Sequence, residues 1–227
     1  MGQKVNPRGF RIGLNDIWRG ENQSYGKSFK NIKRLYKEIK NTSNFLNQYF
    51  ESKNLVQGES KLKIEDNHWK YDLQYVPMFP KTIIDTYSVS KKTARIFSLD
   101  ARIRSYNATF WYQNGRLLCE FIKISLKKGT AFRKITNIID RLFAEKRSHQ
   151  IVLKAVSGNK NLKFTGLKIR YAGRFGGNRS RMANSLVHRI GAISLQKVET
   201  YVEFYESPLY TKQGICNLQI WMAYKII

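Results

Sequence analysis

The segment at residues 166–182 constrains the fold more than any other part of the chain, because it begins with a strict alternation of polarity. Three apolar residues alternate with two cations, in the order Leu167, Lys168, Ile169, Arg170 and Tyr171. A period of two residues is typical of a β-strand with different faces. We therefore predict a strand that buries its apolar face and presents a basic face suited to RNA.

A glycine-rich loop, Gly173-Arg-Phe-Gly-Gly177, follows this strand, and its glycines can take positive φ and let a second backbone approach closely. We predict that Asn178 or Ser180 then caps a helix, whose exposed amides would attract phosphate oxygens among Arg174, Arg179 and Arg181. No Asp or Glu occurs between Glu145 and Glu199, whereas an ordinary charged face mixes both signs. We interpret this part of the chain as a polyanion-binding surface.

The overall charge supports that interpretation, since 41 Lys and Arg residues face 16 Asp and Glu residues and give a net charge of +25. Such an excess makes an isolated globule repel itself and favours an anionic partner, for which nucleic acid is our prediction. An anionic membrane surface is the alternative, but the sequence has no run of about 18 apolar residues. A content of 42% hydrophobic and 13% aromatic residues excludes a disordered basic tail.

The first half of the chain predicts one long or broken helix and two short strands. Apolar residues recur at helical spacing from Ser28 to Phe50, around an interruption at residues 41–44. Alternation at residues 61–64 and 69–75 predicts the strands. Residues 77–116 have no clean period; they are either a single-strand-binding segment of basic and aromatic residues or an insertion packed by its aromatics. A tight turn at Asn114-Gly115 then leads into a buried strand at residues 117–126.

The second half predicts helices followed by a hairpin. Thr130 is a candidate cap for a helix whose apolar residues extend from Phe132 to Phe143, and a second helical segment is predicted around residues 151–156. Two long strands, at residues 194–205 and 215–227, should pair as an antiparallel hairpin beside the central strand.

Catalytic and metal-binding motifs are missing from the sequence. His68, His149 and His188 are far apart, no Walker-type loop is present, and the basic half lacks the carboxylates that a Mg²⁺-dependent nuclease needs. Cys119 and Cys216 stand alone and are predicted to be buried thiols in a reducing compartment rather than metal ligands. We therefore expect a protein that is not an enzyme and has no cofactor.

Motifs at both ends of the chain resemble one family. Gly2-Gln-Lys-Val-Asn-Pro7, with Gly9-Phe-Arg-Ile-Gly-Leu14 and Trp18, resembles the opening of the universal small-subunit ribosomal protein S-three family. Residues 166–177, Gly191 and the terminal Gly214-Ile-Cys-Asn-Leu-Gln-Ile-Trp-Met-Ala-Tyr-Lys225 resemble that family's C-terminal domain. The resemblance implies an N-terminal domain of the KH type and a C-terminal α/β domain on the head of the small subunit, near the mRNA entry site.

Together these observations predict the α+β fold class and four segments. Residues 1–27 form an extended basic arm that orders on its partner, unless they are simply a frayed terminus. Residues 28–128 form a degenerate KH-like domain of type II with an insertion near residues 77–116. Residues 129–156 are connecting helices, and residues 157–227 are an rRNA-binding α/β domain with a small, mainly antiparallel sheet.

Charge and resemblance together define the predicted rRNA-binding residues: Lys4, Arg8, Arg11, Lys168, Arg170, Arg174, Arg179, Arg181 and Arg189. Two departures from the family limit what carries over. Residues 58–128 lack the Gly-x-x-Gly loop with which KH domains clamp RNA, and the paired arginines expected at the mRNA entry channel are replaced. Arg147, His149 and Lys154 are the remaining candidate mRNA-channel residues.

We therefore predict a structural constituent of the small ribosomal subunit, in contact with small-subunit rRNA, mRNA at the entry channel and head proteins of the S-ten and S-fourteen families. A composition typical of an A/T-rich gene, the eroded KH loop and a family motif that starts at residue 2 favour an organelle-encoded mitochondrial protein without a cleavable presequence. The alternative is a regulatory protein that binds RNA outside the ribosome through its C-terminal domain.

Overall fold

The computed structural model describes residues 5–16, 29–65, 68–78, 85–97, 100–145, 150–155, 158–175 and 182–227. The chain forms two compact units. Residues 19–117 make one of them, the inserted unit, and residues 1–18 and 118–227 make the other, the terminal unit. These units differ from the predicted segments, because the N-terminal arm belongs with the C-terminal half of the chain.

The inserted unit is a three-stranded sheet with two helices. Helix α1 (Phe29–Ser52) precedes the antiparallel hairpin of β1 (Leu55–Glu65) and β2 (His68–Pro77). Helix α2 (Thr86–Phe97) then leads to β3 (Asp100–Asn107), which pairs parallel to β2 and gives the order β1-β2-β3. Both predicted strands are thereby confirmed, and an element order of helix, hairpin, helix and parallel strand agrees with the expected KH-like, α+β class.

The core of the inserted unit lies on one face of this sheet. Leu46 and Phe50 of α1 and Val89 of α2 form one buried cluster with strand residues Leu55, Tyr71, Leu73, Tyr75 and Ile103. Helix α1 is continuous through residues 41–44, where the Thr42 hydroxyl bonds the carbonyl of Glu38 within the helix. Of the aromatic residues of α1, Phe50 is buried in this core.

The terminal unit is built on a five-stranded antiparallel sheet. Its elements are α3 (Gly115–Lys127), which begins in the inserted unit, α4 (Phe132–Glu145), β4 (Gln150–Ala155), β5 (Gly158–Gly173), β6 (Asn184–Gly191), β7 (Thr200–Thr211) and β8 (Gly214–Ile226). The order is β4-β5-β8-β7, with β6 also paired to β5. One edge of β5 pairs with β8. Its other edge pairs with β4 over residues 158–163 and with β6 over residues 166–173, so β4 and β6 lie one after the other along that edge.

The predicted hairpin of two long strands beside the central strand is confirmed by β7, β8 and β5. The first strand of the hairpin is shifted along the chain, because β7 begins at Thr200 rather than at residue 194, continues through Pro208 to Thr211 and turns at residues 212–213. Proline lacks an amide donor but is tolerated on an edge strand, and β7 is such a strand.

Two predicted elements have the wrong type. Residues 117–126 lie in helix α3, not in a buried strand, because a short apolar run cannot by itself distinguish these structures. The Lys123–Glu120 ion pair, 3.4 Å long, shows the helical spacing of the polar residues. Residues 151–155 lie in strand β4, not in a helix, because they complete a hairpin with residues 158–162.

The predicted caps also need correction. Helix α4 is confirmed, but the Thr130 hydroxyl bonds the carbonyl of Ser125 and so closes the end of α3. A helix was expected after the glycine loop, and the next described element, β6, is a strand. Asn178 and Ser180, its predicted caps, lie outside the described residues. Within the described part of the chain, no helix is long and apolar enough to cross a membrane.

Candidate RNA-binding surface

Strand β5 has the two-faced character predicted from its sequence. Leu167, Ile169 and Tyr171 are buried, whereas Arg170 is exposed and Lys168 is half-buried. The buried residues continue across the sheet into β8, where Leu218, Ile220 and Met222 occupy the register positions opposite them. The prediction of a strand with one apolar face and one basic face is confirmed.

Helix α4 contacts the buried face of the sheet. The ring of Phe132 stacks on Tyr171 at a centroid distance of 5.6 Å, and Phe143 contacts Phe164 at 5.0 Å. At the neighbouring edge, His188 Nε2 of β6 lies 2.7 Å from Asp140 Oδ1 of α4. Because α4 occupies this side, the cations of β5 are directed away from the helix.

The cations of β5 and β6 lie side by side on the opposite side, which we call the basic face: Lys168, Arg170 and Arg189. Lys168 and Arg189 are directly opposite each other in the antiparallel pair. Like charges in this position repel, which favours the binding of an anion between them. Within the part of the chain that the structure describes, Arg170 and Arg189 form no ion pair.

An aromatic ring supports the basic face from the other neighbouring strand. Trp221 of β8 lies opposite Lys168, and the ammonium group is 4.7 Å from the centroid of the indole ring. Trp221 also belongs to a small buried cluster with Val202 and Ala223, and Ile193, Leu195 and Phe204 pack against this cluster. Trp221 was not among the predicted site residues, although its place between Gln219 and Ala223 in an alternating strand assigns it to the same face as Lys168.

Two glycines bring β6 against β5. Gly166 and Gly191 are register partners, and Gly191 has a φ of +70°. A Cβ on Gly191 would lie 2.3 Å from the carbonyl oxygen of Thr165, and a Cβ on Gly166 would lie 2.6 Å from that of Ala192. Strand β6, which carries Arg189, can therefore end this close to β5 only because both residues lack a side chain.

The start of the glycine loop is held by its neighbours. A Cβ on Gly173 would lie 2.6 Å from Cys216 Sγ, so the predicted close approach is confirmed for this glycine. The thiol of Cys216 donates to the carbonyl of Arg174 at 3.5 Å, and Phe175 stacks on Tyr171 at 4.7 Å. Burial raises the pKa of Tyr171 above its ordinary value. These contacts fix the backbone that carries the exposed Arg174 beside the end of the basic face.

Both cysteines are buried and carry no disulfide, as the sequence analysis expected. The described residues contain no group of three or more His, Cys, Asp or Glu side chains that could hold a metal ion.

Arg11 requires a correction, because it does not present its charge to a partner. Its side chain is 1% exposed, and its guanidinium donates to the carbonyls of five residues: Pro7, Ser194, Leu195, Lys197 and Thr200. The shortest of these bonds, to Thr200, is 2.6 Å. Burial lowers the pKa of the guanidinium. Arg11 therefore holds the arm against residues 194–200, and we remove it from the rRNA-binding set.

The arm as a whole is compact where it is described, and this corrects the prediction of an extended segment that orders only on a partner. Gly9–Arg11 form a 3-10 turn, and the Asn15 amide donates to the carbonyl of Val198 at 2.6 Å. Arg8 pairs with Asp16 at 3.0 Å and lies 5.6 Å from the ring centroid of Tyr205. Arg8 is thus largely committed to contacts within the terminal unit.

Several predicted residues are not tested by these observations. Lys4, Arg147, His149, Arg179 and Arg181 lie outside the described residues. Lys154 lies in β4 opposite Asn159. Of the predicted rRNA-binding residues, the structure brings together Lys168, Arg170 and Arg189, with Arg174 at the end of the same strand.

Comparison with known proteins gives relatives over the whole chain. No family model matches. The small ribosomal subunit protein uS3m of Chondrus crispus is 26% identical over 227 residues, covering 99% of this chain and 94% of that protein. The uS3c protein of Angiopteris evecta is 25% identical over 242 residues, covering 98% of each chain. The uS3 protein of Thermotoga petrophila is 27% identical over 226 residues, covering 98% of this chain and 97% of its own.

Proposed function

We propose that this chain, which is similar over nearly its whole length to uS3 proteins of the small ribosomal subunit, is a member of that family and binds the rRNA of a mitochondrial small subunit through its basic face. The similarity to uS3 proteins indicates a structural protein of the small ribosomal subunit. No enzymatic activity is part of that role.

The like-charged pair of Lys168 and Arg189 is the observation that carries the proposal. Two cations lie directly opposite each other on adjacent strands, with exposed Arg170 beside them. Their repulsion is relieved when phosphate oxygens approach, and each phosphate that is neutralised releases counterions from the RNA. Such contacts position RNA without reading its bases, which suits a protein that recognises folded rRNA by shape.

The mitochondrial assignment has separate support. The uS3m protein of Chondrus crispus is among the relatives that match nearly the whole chain, although plastid and bacterial relatives match as well. The composition and the missing Gly-x-x-Gly loop point in the same direction. As further proposals, the protein contacts head proteins of the S-ten and S-fourteen families, and Arg147, His149 and Lys154 face mRNA at the entry channel.

The test compares two variants of the whole chain that lose the same charge. Arg170→Gln with Arg189→Gln removes two cations from the basic face, whereas Arg133→Gln with Arg141→Gln removes two exposed arginines from α4, on the other side of the sheet. Binding to a transcript of the small-subunit rRNA head is measured over a salt series. We expect the basic-face variant to reduce the slope of log K against log salt by about 1.4 to 1.8.

The α4 variant should keep the slope of the unaltered chain. Equal slopes for the two variants would contradict rRNA binding by the basic face. Sedimentation of both variants with the mitochondrial small subunit then tests the location, and recovery of the unaltered chain only in light fractions would favour the alternative of an RNA-binding regulator outside the ribosome.

A further inference from the structure

Trp221 contacts one cation of the basic face from the neighbouring strand β8. The Lys168 ammonium group is 4.7 Å from the centroid of the indole ring, and the two residues are register partners. A cation over the face of an aromatic ring is attracted by the negative charge of that face, and tryptophan gives the strongest attraction. The ring therefore offers the Lys168 ammonium group a defined position.

The indole ring is itself held in place by its neighbours. Trp221 is 9% exposed and lies in the buried cluster with Val202 and Ala223. The ring of Phe204, its register partner on β7, lies at a centroid distance of 5.2 Å and an interplanar angle of 41°. A ring that is packed in this way keeps its orientation, so it can support a flexible side chain.

Lys168 needs a support because of its neighbour on the other strand. Arg189 lies directly opposite Lys168 on β6, and like charges in this position repel each other. Because the lysine stem is flexible, repulsion alone favours conformations that carry the ammonium group away from Arg189. Attraction to the indole ring opposes this movement. Lys168 is half-buried whereas Arg189 is exposed, which agrees with a lysine stem that lies over the ring.

An acid on the same side of the sheet is a second candidate for holding Lys168. Glu206 of β7 is two positions along the strand from Phe204 and is the register partner of Gln219, so it lies in the next row. Its exposed carboxylate accepts a hydrogen bond from the Asn217 amide at 2.7 Å. The contribution of this carboxylate must therefore be measured beside that of the ring.

We propose that Trp221 is a positioning residue for RNA binding by the basic face. It keeps the Lys168 ammonium group beside Arg189 in the RNA-free chain, so that RNA meets two cations that are already held together. A binding group that is fixed in its bound position loses less conformational entropy on binding, which increases affinity. This inference rests on the proposed function, rRNA binding by the basic face, and adds to it a residue that carries no charge.

The main test is a double-mutant cycle in the full chain. Affinity for a transcript of the small-subunit rRNA head is measured over a salt series for the unaltered chain, Trp221→Leu, Lys168→Gln and the double variant. We expect Trp221→Leu to weaken binding by about two- to five-fold and to keep the slope of log K against log salt, because no charge is removed. Lys168→Gln should weaken binding and reduce this slope by about 0.7 to 0.9. In the Lys168→Gln background, Trp221→Leu should have no further effect.

Further variants separate positioning from packing. Trp221→Phe keeps a ring next to Lys168 and should recover part of the affinity that Trp221→Leu loses; if Trp221→Leu does not fold, the cycle is measured with Trp221→Phe, and a smaller coupling is expected. Phe204→Leu changes the same cluster one strand further from Lys168 and should leave the affinity unchanged. Glu206→Gln should leave the coupling between Trp221 and Lys168 unchanged.

A measurement without RNA tests the contact itself. In the RNA-free chain, the ε-methylene protons of Lys168 should show an upfield ring-current shift in the NMR spectrum, because the ammonium group lies over the indole ring. This shift should disappear in Trp221→Leu and persist in Glu206→Gln.

Three results would overturn the positioning role and leave the proposed function standing. They are an unchanged affinity of Trp221→Leu, an equal loss in the presence and absence of the Lys168 ammonium group, and loss of the coupling in Glu206→Gln. A different result would refute rRNA binding by the basic face, and the positioning role with it: Lys168→Gln, and Arg170→Gln with Arg189→Gln, would both keep the affinity and the salt slope of the unaltered chain.

Discussion

Arg11 shows how one side chain can join two distant parts of the chain. Its guanidinium satisfies carbonyls of residues 194–200 that would otherwise lie beside a buried apolar surface. Burying a charge is unfavourable unless hydrogen bonds compensate for the lost hydration, and the planar fork of arginine provides several bonds at once. The Arg11 side chain therefore stabilises the terminal unit from within, unlike the exposed cations Arg170 and Arg189 of the basic face.

We predict that Arg11→Gln lowers the free energy of unfolding by about 3 kcal/mol, because it leaves several buried carbonyls without a donor. Arg11→Lys should recover little of this loss, since an ammonium group cannot match the fork. Arg8→Gln is the control; its ion pair with Asp16 is partly exposed, and about 1 kcal/mol is expected. Urea unfolding measures all three, and equal effects at both arginines would contradict the role of Arg11.

Tyr71 gives the inserted unit a specific sensitivity to alkali. Burial raises the pKa of its hydroxyl to about 12. The folded state therefore holds this proton more tightly than the unfolded state, where the pKa is about 10. The resulting stability is fully present below pH 10 and is lost as the pH rises towards 12, a change of roughly 2 kcal/mol.

Tyr71→Phe cannot ionise, so we predict that its stability falls less between pH 9.5 and pH 12 than that of the unaltered chain. Urea unfolding followed at several pH values measures the difference. Tyr87→Phe, which alters an exposed tyrosine, is the control. The same alkaline loss in Tyr71→Phe and in the unaltered chain would show that the buried hydroxyl is not responsible.

Strand β6 depends on the glycine at its end. We predict that Gly191→Ala destabilises the terminal unit by about 2 to 4 kcal/mol, because the new Cβ meets the carbonyl of Thr165 and the backbone has positive φ. Gly9→Ala, where nothing lies within 4 Å of the added Cβ, should have little effect. Hydrogen exchange should show faster exchange of β6 amides in the first variant; unchanged β6 protection would contradict the steric argument.

The individual helices and strands show what could be predicted from the sequence. The alternation in β5 and the helical spacing in α4 fixed both elements correctly, because each has a polar side that defines its period. The apolar run of α3 and the short segment of β4 lacked that contrast, and contacts with the rest of the chain decided their type. That Lys63, Lys70 and Arg102 are neighbours was not predictable, since it depends on the register of three strands.

The candidate site was predictable in part for a related reason. Lys168 and Arg170 follow from alternation along one strand, but the position of Arg189 beside Lys168 follows from pairing between strands. Charge and glycine content placed Arg11 among the RNA-binding residues, whereas its burial depends on residues more than 180 positions away. Composition gives the number of cations but does not show which guanidinium groups are buried and which are exposed.

For the whole molecule, the net charge of +25 predicts a stability that depends on salt. Screening shortens the range of repulsion from about 30 Å at 0.01 M to about 3 Å at 1 M ionic strength. We therefore expect the melting temperature of the RNA-free chain to rise when sodium chloride is raised over this range. Poly-glutamate should raise it further and poly-lysine should not; a fall with salt would contradict net self-repulsion as the dominant electrostatic effect.

The insertion of one unit within the other sets an order for biosynthesis. Residues 19–117 are continuous, so this unit can fold as soon as its own chain has emerged. The arm at residues 5–16 is made before the inserted unit, yet the carbonyls that receive Arg11 belong to residues 194–200, which are made after it. Until those residues have been made, the arm cannot form its native contacts, and the terminal unit closes only after the inserted unit has been synthesised.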